Sequence, residues 1–179
     1  MLREVDWPQI WGLSSDLYLP LFDFARMHHL PMLALNVDRA TTRRVAAQGF
    51  VSVPSSERED VGDSAAALSA YRDRRFEWFK KHPAAGKESR ADSEPFERFV
   101  RAQLFWDRAM AEAIAGARHG GRPLIVGIMG SGHVEFGDGV PHQLAALGVD
   151  DVVTALPWRV DTDFPMHDPP IADVLFGVA

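Results

Sequence analysis

The sequence predicts an α/β fold, a mainly parallel sheet flanked by helices, and three observations predict it. The chain has 179 residues, of which 46% are hydrophobic and 25% charged, enough apolar material for one globular core. Short runs such as Pro31–Val37 and Arg122–Ile128 are apolar at consecutive rather than alternate positions, the pattern of strands covered on both faces. Between these runs lie longer segments with apolar residues at helical spacing, so strands and helices alternate along the chain.

Ser14 or Ser15 can cap a first helix over about residues 16–29, with Leu17, Phe22, Phe24 and Ala25 among its apolar positions and Pro20 in a first turn that tolerates it. The run 31–37 then reads as a buried strand. Asp38 caps a second helix that ends at Gly49, a residue able to take the left-handed conformation of a helix terminus. Residues 53–60 are polar and turn-rich, residues 63–81 look helical, and Lys87–Ser93 is a polar linker. Ser93 can cap a long helix from Glu94 to about Arg118, closed by Gly120 and Gly121. The strand at 122–128 leads into Gly127-Ile-Met-Gly-Ser-Gly-His133, followed by a short helix near 141–147 and strands at 151–156 and 172–178. The whole chain, 1–179, reads as one domain.

Several function classes are excluded at this level. No apolar run approaches the ~18–20 residues that a bilayer requires, and the opening MLREVDWPQI does not have the pattern of a secretory signal. With no cysteine there are no disulfides, thiolate ligands, thiol nucleophiles or lipid-modified cysteines in these residues. A net charge of −6 argues against a dedicated nucleic-acid binder. The charge is uneven, with nine Arg/Lys against six Asp/Glu in residues 71–101 and a single Arg159 against eight acids in residues 135–179.

In an open parallel sheet, sites collect beyond the carboxyl ends of the strands, where Asn36, Arg39 and the glycine-rich loop fall. Gly130-Ser-Gly-His133 places an imidazole there, either as a ligand or base or as a structural hydrogen-bonding residue. It is neither a nucleophile elbow nor a phosphate loop, since the spacings of both are wrong. Within the long helix, Gln103 and Asp107 fall one turn apart inside the apolar stripe. They are either part of a buried polar network or the floor of a pocket. On the middle helix, Tyr71, Arg74, Arg75, Trp78 and His82 fall within about 60° of one line. Neighbouring cations favour a tyrosinate, an oxygen ligand suited to ferric iron, and arginines can hold carboxylates, so this face meets the needs of a haem; the alternative is a solvated basic face. Tyr71 and His82 are about 16 Å apart along the axis, too far to share one iron within one chain.

In order and spacing, DLYLPLFDFAR, LPMLALNVDRATTRRVAAQGF, QLFWDRAMA, LIVGIMGSGHVEFGDGVPHQL and ADVLFGV resemble the haem-binding ChaN-like lipoprotein family, which is similar in core pattern to the TIKI/TraB and erythromycin-esterase-like proteins. The resemblance implies haem binding linked to iron uptake, a tyrosine on the iron, a homodimer around stacked haems, and a periplasmic or outer-membrane-associated location. It places His133, Asn36 with Arg39, and Gln103 with Asp107 at motif positions. Tyr18 belongs to the structural YLPLF pattern, which leaves Tyr71 as the ligand, while Phe136 stands where relatives have a tyrosine after the GSGH histidine. The family's Gly-Glu-x-His strand is not found in these residues, so the sequence predicts a domain incomplete at its N-terminus; the lipid-anchor cysteine is likewise not found. The leading expectation is therefore a non-enzymatic haem-binding protein with Tyr71 and His133 as candidate metal ligands, Arg74 and Arg75 near propionates, and Trp78 and Phe79 against the macrocycle. The alternatives are a divalent-metal hydrolase, with His133 as ligand or base and Asp107 and Asn36 polarising a water, and a ligand-free scaffold that dimerises.

Overall fold

The computed structural model describes residues 7, 13–81, 90–118, 124–164 and 166–179. They form two compact units, Met1–Ala34 and Leu35–Ala179. In the first, Ser14 Oγ accepts a hydrogen bond from Asp16 N at 3.3 Å and starts a short 3-10 turn, Ser15–Leu17. Helix α1, Leu19–Met27, follows with Pro20 in its first turn. The Trp7 ring packs on Tyr18 and Phe22 at centroid distances of 5.3 and 5.6 Å.

The second unit is organised on one long helix. Helix α2, Arg39–Gln48, is capped by Asp38 Oδ1, which accepts from Ala40 N at 2.6 Å, and it ends at Gly49 with φ +83°. Helix α3 spans Ser69–Phe79 and helix α4 spans Glu94–Gly116, with Ser93 Oγ accepting from Phe96 N at 3.4 Å. A last short helix, α5, covers Val140–Ala146. Successive stretches of α4 face different partners. Phe96 and Val100 pack with Phe79 of α3, Phe105 and Ala109 with Val45, Val53 and Val61, and Met110 and Ala111 with Val140 and Leu144 of α5. Burial of these side chains, each worth about 1.5–3 kcal/mol for a large aliphatic or aromatic group, makes α4 the spine to which the site residues are attached.

The fold is α/β, with a two-stranded parallel sheet of β1, Ala155–Arg159, and β2, Val174–Val178, in the register Ala155↔Val174 to Arg159↔Val178. A clasp precedes the pairing: Thr154 N and Oγ1 donate to Asp173 Oδ2 at 2.7 and 2.8 Å, and Asp173 N returns a bond to Thr154 Oγ1 at 3.0 Å. These bonds hold the Asp173 carboxyl below the usual carboxylate range.

Two expected strands are not found. Residues 31–37 and the described part of the second run, 124–128, carry no strand pairing among the described residues, and Leu33, Leu124 and Val126 are 60%, 91% and 74% exposed. An apolar run becomes a strand only when a neighbour accepts its backbone ladder, and none does so among the described residues. The middle helix also starts later than expected, at 69 rather than 63. Ala65 gives its N–H to Gln143 Oε1 at 2.8 Å and its carbonyl accepts from Gln143 Nε2 at 3.2 Å, while Gly62 N donates to Glu112 Oε1 at 3.1 Å. The backbone of this segment is thus satisfied by side chains rather than by a helical turn.

Candidate functional site

Helices α3 and α4 and the glycine-rich loop converge on the carboxylate of Asp107, which is 1% exposed. One turn of α3 brings Tyr71 to it, and the phenol donates to Asp107 Oδ2 at 2.7 Å. From the other side, Nδ1 of His133, in the 3-10 turn Ser131–His133, lies 2.6 Å from Asp107 Oδ1. A carboxylate only accepts, so this contact assigns a proton to Nδ1; in the Nδ1–H tautomer Nε2 carries the lone pair. The His133 side chain is 20% exposed, its Nε2 has no hydrogen-bond partner among the described residues, and the Trp106 ring meets it edge-on at 6.4 Å.

Arg75 completes this layer. Its guanidinium lies 5.0 Å from the Tyr71 ring centroid and donates through Nη2 to the Gly132 carbonyl, fixing the loop against α3. A Cβ on Gly132 would stand 3.0 Å from Arg75 Nη1, and one on Gly139 would lie 2.4 Å from the His133 carbonyl oxygen. The two glycines permit loop and helix to approach this closely. Beyond this layer Arg74 pairs with the buried Asp138 and lies 4.2 Å from the Phe136 centroid. Phe136 is held at φ +58°, an uncommon conformation for an aromatic residue. Around the site, Arg74 Nε, Arg75 Nε, Trp106 Nε1 and Asp138 Oδ1 are buried without a hydrogen-bond partner among the described residues.

The electrostatics of Tyr71 run opposite to the sequence expectation. Burial and then the Asp107 carboxylate push its phenol well above the ordinary tyrosine range, and the Arg75 cation, which works the other way, does not offset them. The side chain, 1% exposed, is therefore a neutral donor directed inward.

The structure brings Tyr71, Arg75, Asp107 and His133 into one network, with Arg74 in the next layer. It leaves the others outside. Asn36 is exposed and its Oδ1 accepts from its neighbour Val37 N at 2.9 Å. Arg39 begins α2 at the surface. Gln103 is half-buried one turn before Asp107 without joining its hydrogen bonds. Trp78 is exposed and stacks on Phe99 at 5.6 Å, while Phe79 is buried in the core against Phe96. His82 lies outside the described residues. Sequence reasoning missed Asp138 and Gln143; an acid inside the Gly-Asp-Gly turn and an amide on the inner face of a short apolar helix were the available signals.

Among the described residues no group of three or more His, Asp or Glu is arranged to hold a metal ion, and no helix is long and apolar enough to cross a membrane. The orphaned Arg74 and Arg75 nitrogens suit the carboxylates of a haem, and the His133 imidazole suits its iron.

Comparison with curated proteins and with solved structures gives no significant match. A family model described as haem-binding uptake, Tiki superfamily, ChaN, matches residues 1–144, a span that contains every residue of the Asp107 network. The chain belongs to this ChaN family of haem-binding uptake proteins.

Proposed function

We propose that the chain binds haem in iron uptake and that its iron ligand in the Asp107 network is Nε2 of His133. One observation carries the reading: Asp107 occupies Nδ1 of His133 and leaves Nε2 without a partner among the described residues, which is how an outer carboxylate orients a metal-binding imidazole. The same carboxylate occupies the Tyr71 hydroxyl, so iron on Tyr71 requires that phenol to break a buried bond and lose its proton against Asp107. Tyr71 is assigned the role of a positioning residue, holding Asp107 as Asp107 holds the imidazole. When bound, haem supplies the iron; the chain's residues orient one nitrogen, and Arg74 and Arg75 offer N–H groups to carboxylates.

The family membership also supports a non-enzymatic role, pairing of two chains around haem, and a periplasmic or outer-membrane-associated location. Sedimentation with and without hemin tests the pairing. The ligand is tested by Soret titration with hemin: His133→Ala should weaken binding or change the absorption envelope, whereas Tyr71→Phe should keep a spectrum of the wild-type form. An unchanged His133→Ala together with a Tyr71→Phe chain that no longer shifts the Soret band would return the iron to the tyrosine.

A further inference from the structure

Asp107 is a buried carboxylate that shares its charge between two donors. It is 1% exposed, and its oxygens accept from the Tyr71 phenol at 2.7 Å and from Nδ1 of His133 at 2.6 Å. Among the described residues no lysine or arginine forms an ion pair with it. The two guanidiniums of the site are engaged elsewhere, Arg74 by Asp138 and Arg75 by the Gly132 carbonyl. An ionised carboxylate in such a place is costly until an opposite charge comes within reach.

The imidazole is the route by which such a charge reaches it. A metal on Nε2 makes the Nδ1–H a stronger donor, so the bond to Asp107 tightens and the carboxylate raises the basicity of the ring toward the metal. The ferric form of an iron porphyrin carries one positive charge more than the ferrous form. Asp107 therefore favours ferric haem both by its charge and through the basicity of the ligand it orients. The Tyr71 hydroxyl acts in the opposite sense. By donating to the other oxygen it draws part of the charge toward itself and weakens what Asp107 offers the imidazole.

We infer that the site selects haem by oxidation state, holding ferric over ferrous, with Asp107 setting the preference and Tyr71 limiting it. The inference rests on the His133 reading above, and both residues are positioning residues that act through that imidazole. Redox titration of the hemin-loaded full chain, followed at the Soret band, reads the preference as a reduction potential. Asp107→Asn should raise the potential, and a tenfold loss of ferric over ferrous preference is a rise of about 59 mV. Tyr71→Phe, which frees the carboxylate for the imidazole, should lower it. On the Asp107→Asn background the same change should do much less, since no carboxylate charge remains for the phenol to draw on. Titrations with hemin and with dithionite-reduced haem should show the ratio of ferric to ferrous affinity moving with the potential in each variant. Far-UV circular dichroism checks folding, and Tyr71→Phe alone carries the test if Asp107→Asn does not fold. Potentials that stay unchanged, or that move in the same direction in both variants, overturn this inference; the ligand assignment then still stands if His133→Ala loses the wild-type Soret band. A His133→Ala chain with the wild-type spectrum and potential overturns both.

Discussion

The bond between Tyr71 and Asp107 is the most direct test of the buried network. Tyr71→Phe removes one hydroxyl and leaves the ring, which is 1% exposed and fills its space, so loss of packing contributes little. The lost bond is from a neutral donor to a carboxylate at 2.7 Å. Bonds of that kind are worth about 1.5–3 kcal/mol, and the buried Oδ2 keeps no replacement donor, so a loss of about 2 kcal/mol is expected. For a chain of this size that is a fall in Tm of about 4–8 °C. Asp107→Asn places an amide N–H against one of two donors and should cost about 3 kcal/mol. Asp107→Ala removes the acceptor from both donors, so combined with Tyr71→Phe it should be less destabilised than the sum, with a coupling of about 1–2 kcal/mol in urea unfolding. A coupling below about 0.5 kcal/mol would show that the two side chains do not meet in solution.

The pH dependence of the same pair has a fixed sign. The folded-state pKa of Tyr71 is raised, so its contribution is fully present below the unfolded value of about 10 and is lost as pH rises through the higher folded value. The stability gap between wild type and Tyr71→Phe should therefore be flat up to about pH 9 and shrink above about pH 10. A gap that widens with alkali would contradict the burial of a neutral phenol beside Asp107.

Three other perturbations follow from the geometry. Gly139→Ala sets a methyl 2.4 Å from a backbone oxygen that no rotamer change can move, and should cost about 1–3 kcal/mol in thermal unfolding, while Gly132→Ala, meeting the mobile Arg75 end at 3.0 Å, should cost less. Arg74→Met leaves Asp138 buried beside no cation and should cost about 2–3 kcal/mol, less than the full value for a buried pair because the Arg74 side chain is 31% exposed; adding Asp138→Asn should restore most of it. Gln143→Leu frees both backbone groups of Ala65 and should cost about 2 kcal/mol, with faster amide exchange at Ala65; exchange that stays slow would deny the clamp.

What the sequence made legible was mostly local. Asp38, Ser93 and Gly49 mark helix ends because a cap is a bond between residues two to four apart, and all three act where spacing places them. The start of α3 was not legible, since it is decided by Gln143, 78 residues from Ala65. Whether 31–37 and the described part of the second run, 124–128, pair as strands was not legible either, because a strand depends on a neighbour that no single segment encodes.

The candidate site falls between these cases, because two ambiguities of the sequence resolve each other. Helical spacing put Tyr71 and Arg75 on one face without saying whether that face points outward, and it put Asp107 inside an apolar stripe without naming its partner. Asp107 needs donors because an unpartnered buried carboxylate costs several kcal/mol. Tyr71 and His133 are the donors it finds, and satisfying it turns the α3 face inward. In the folded chain the phenol serves the carboxylate, and the same carboxylate holds the imidazole. The family assignment is common to iron on either side chain, and the Soret titrations of His133→Ala and Tyr71→Phe are what separate the two.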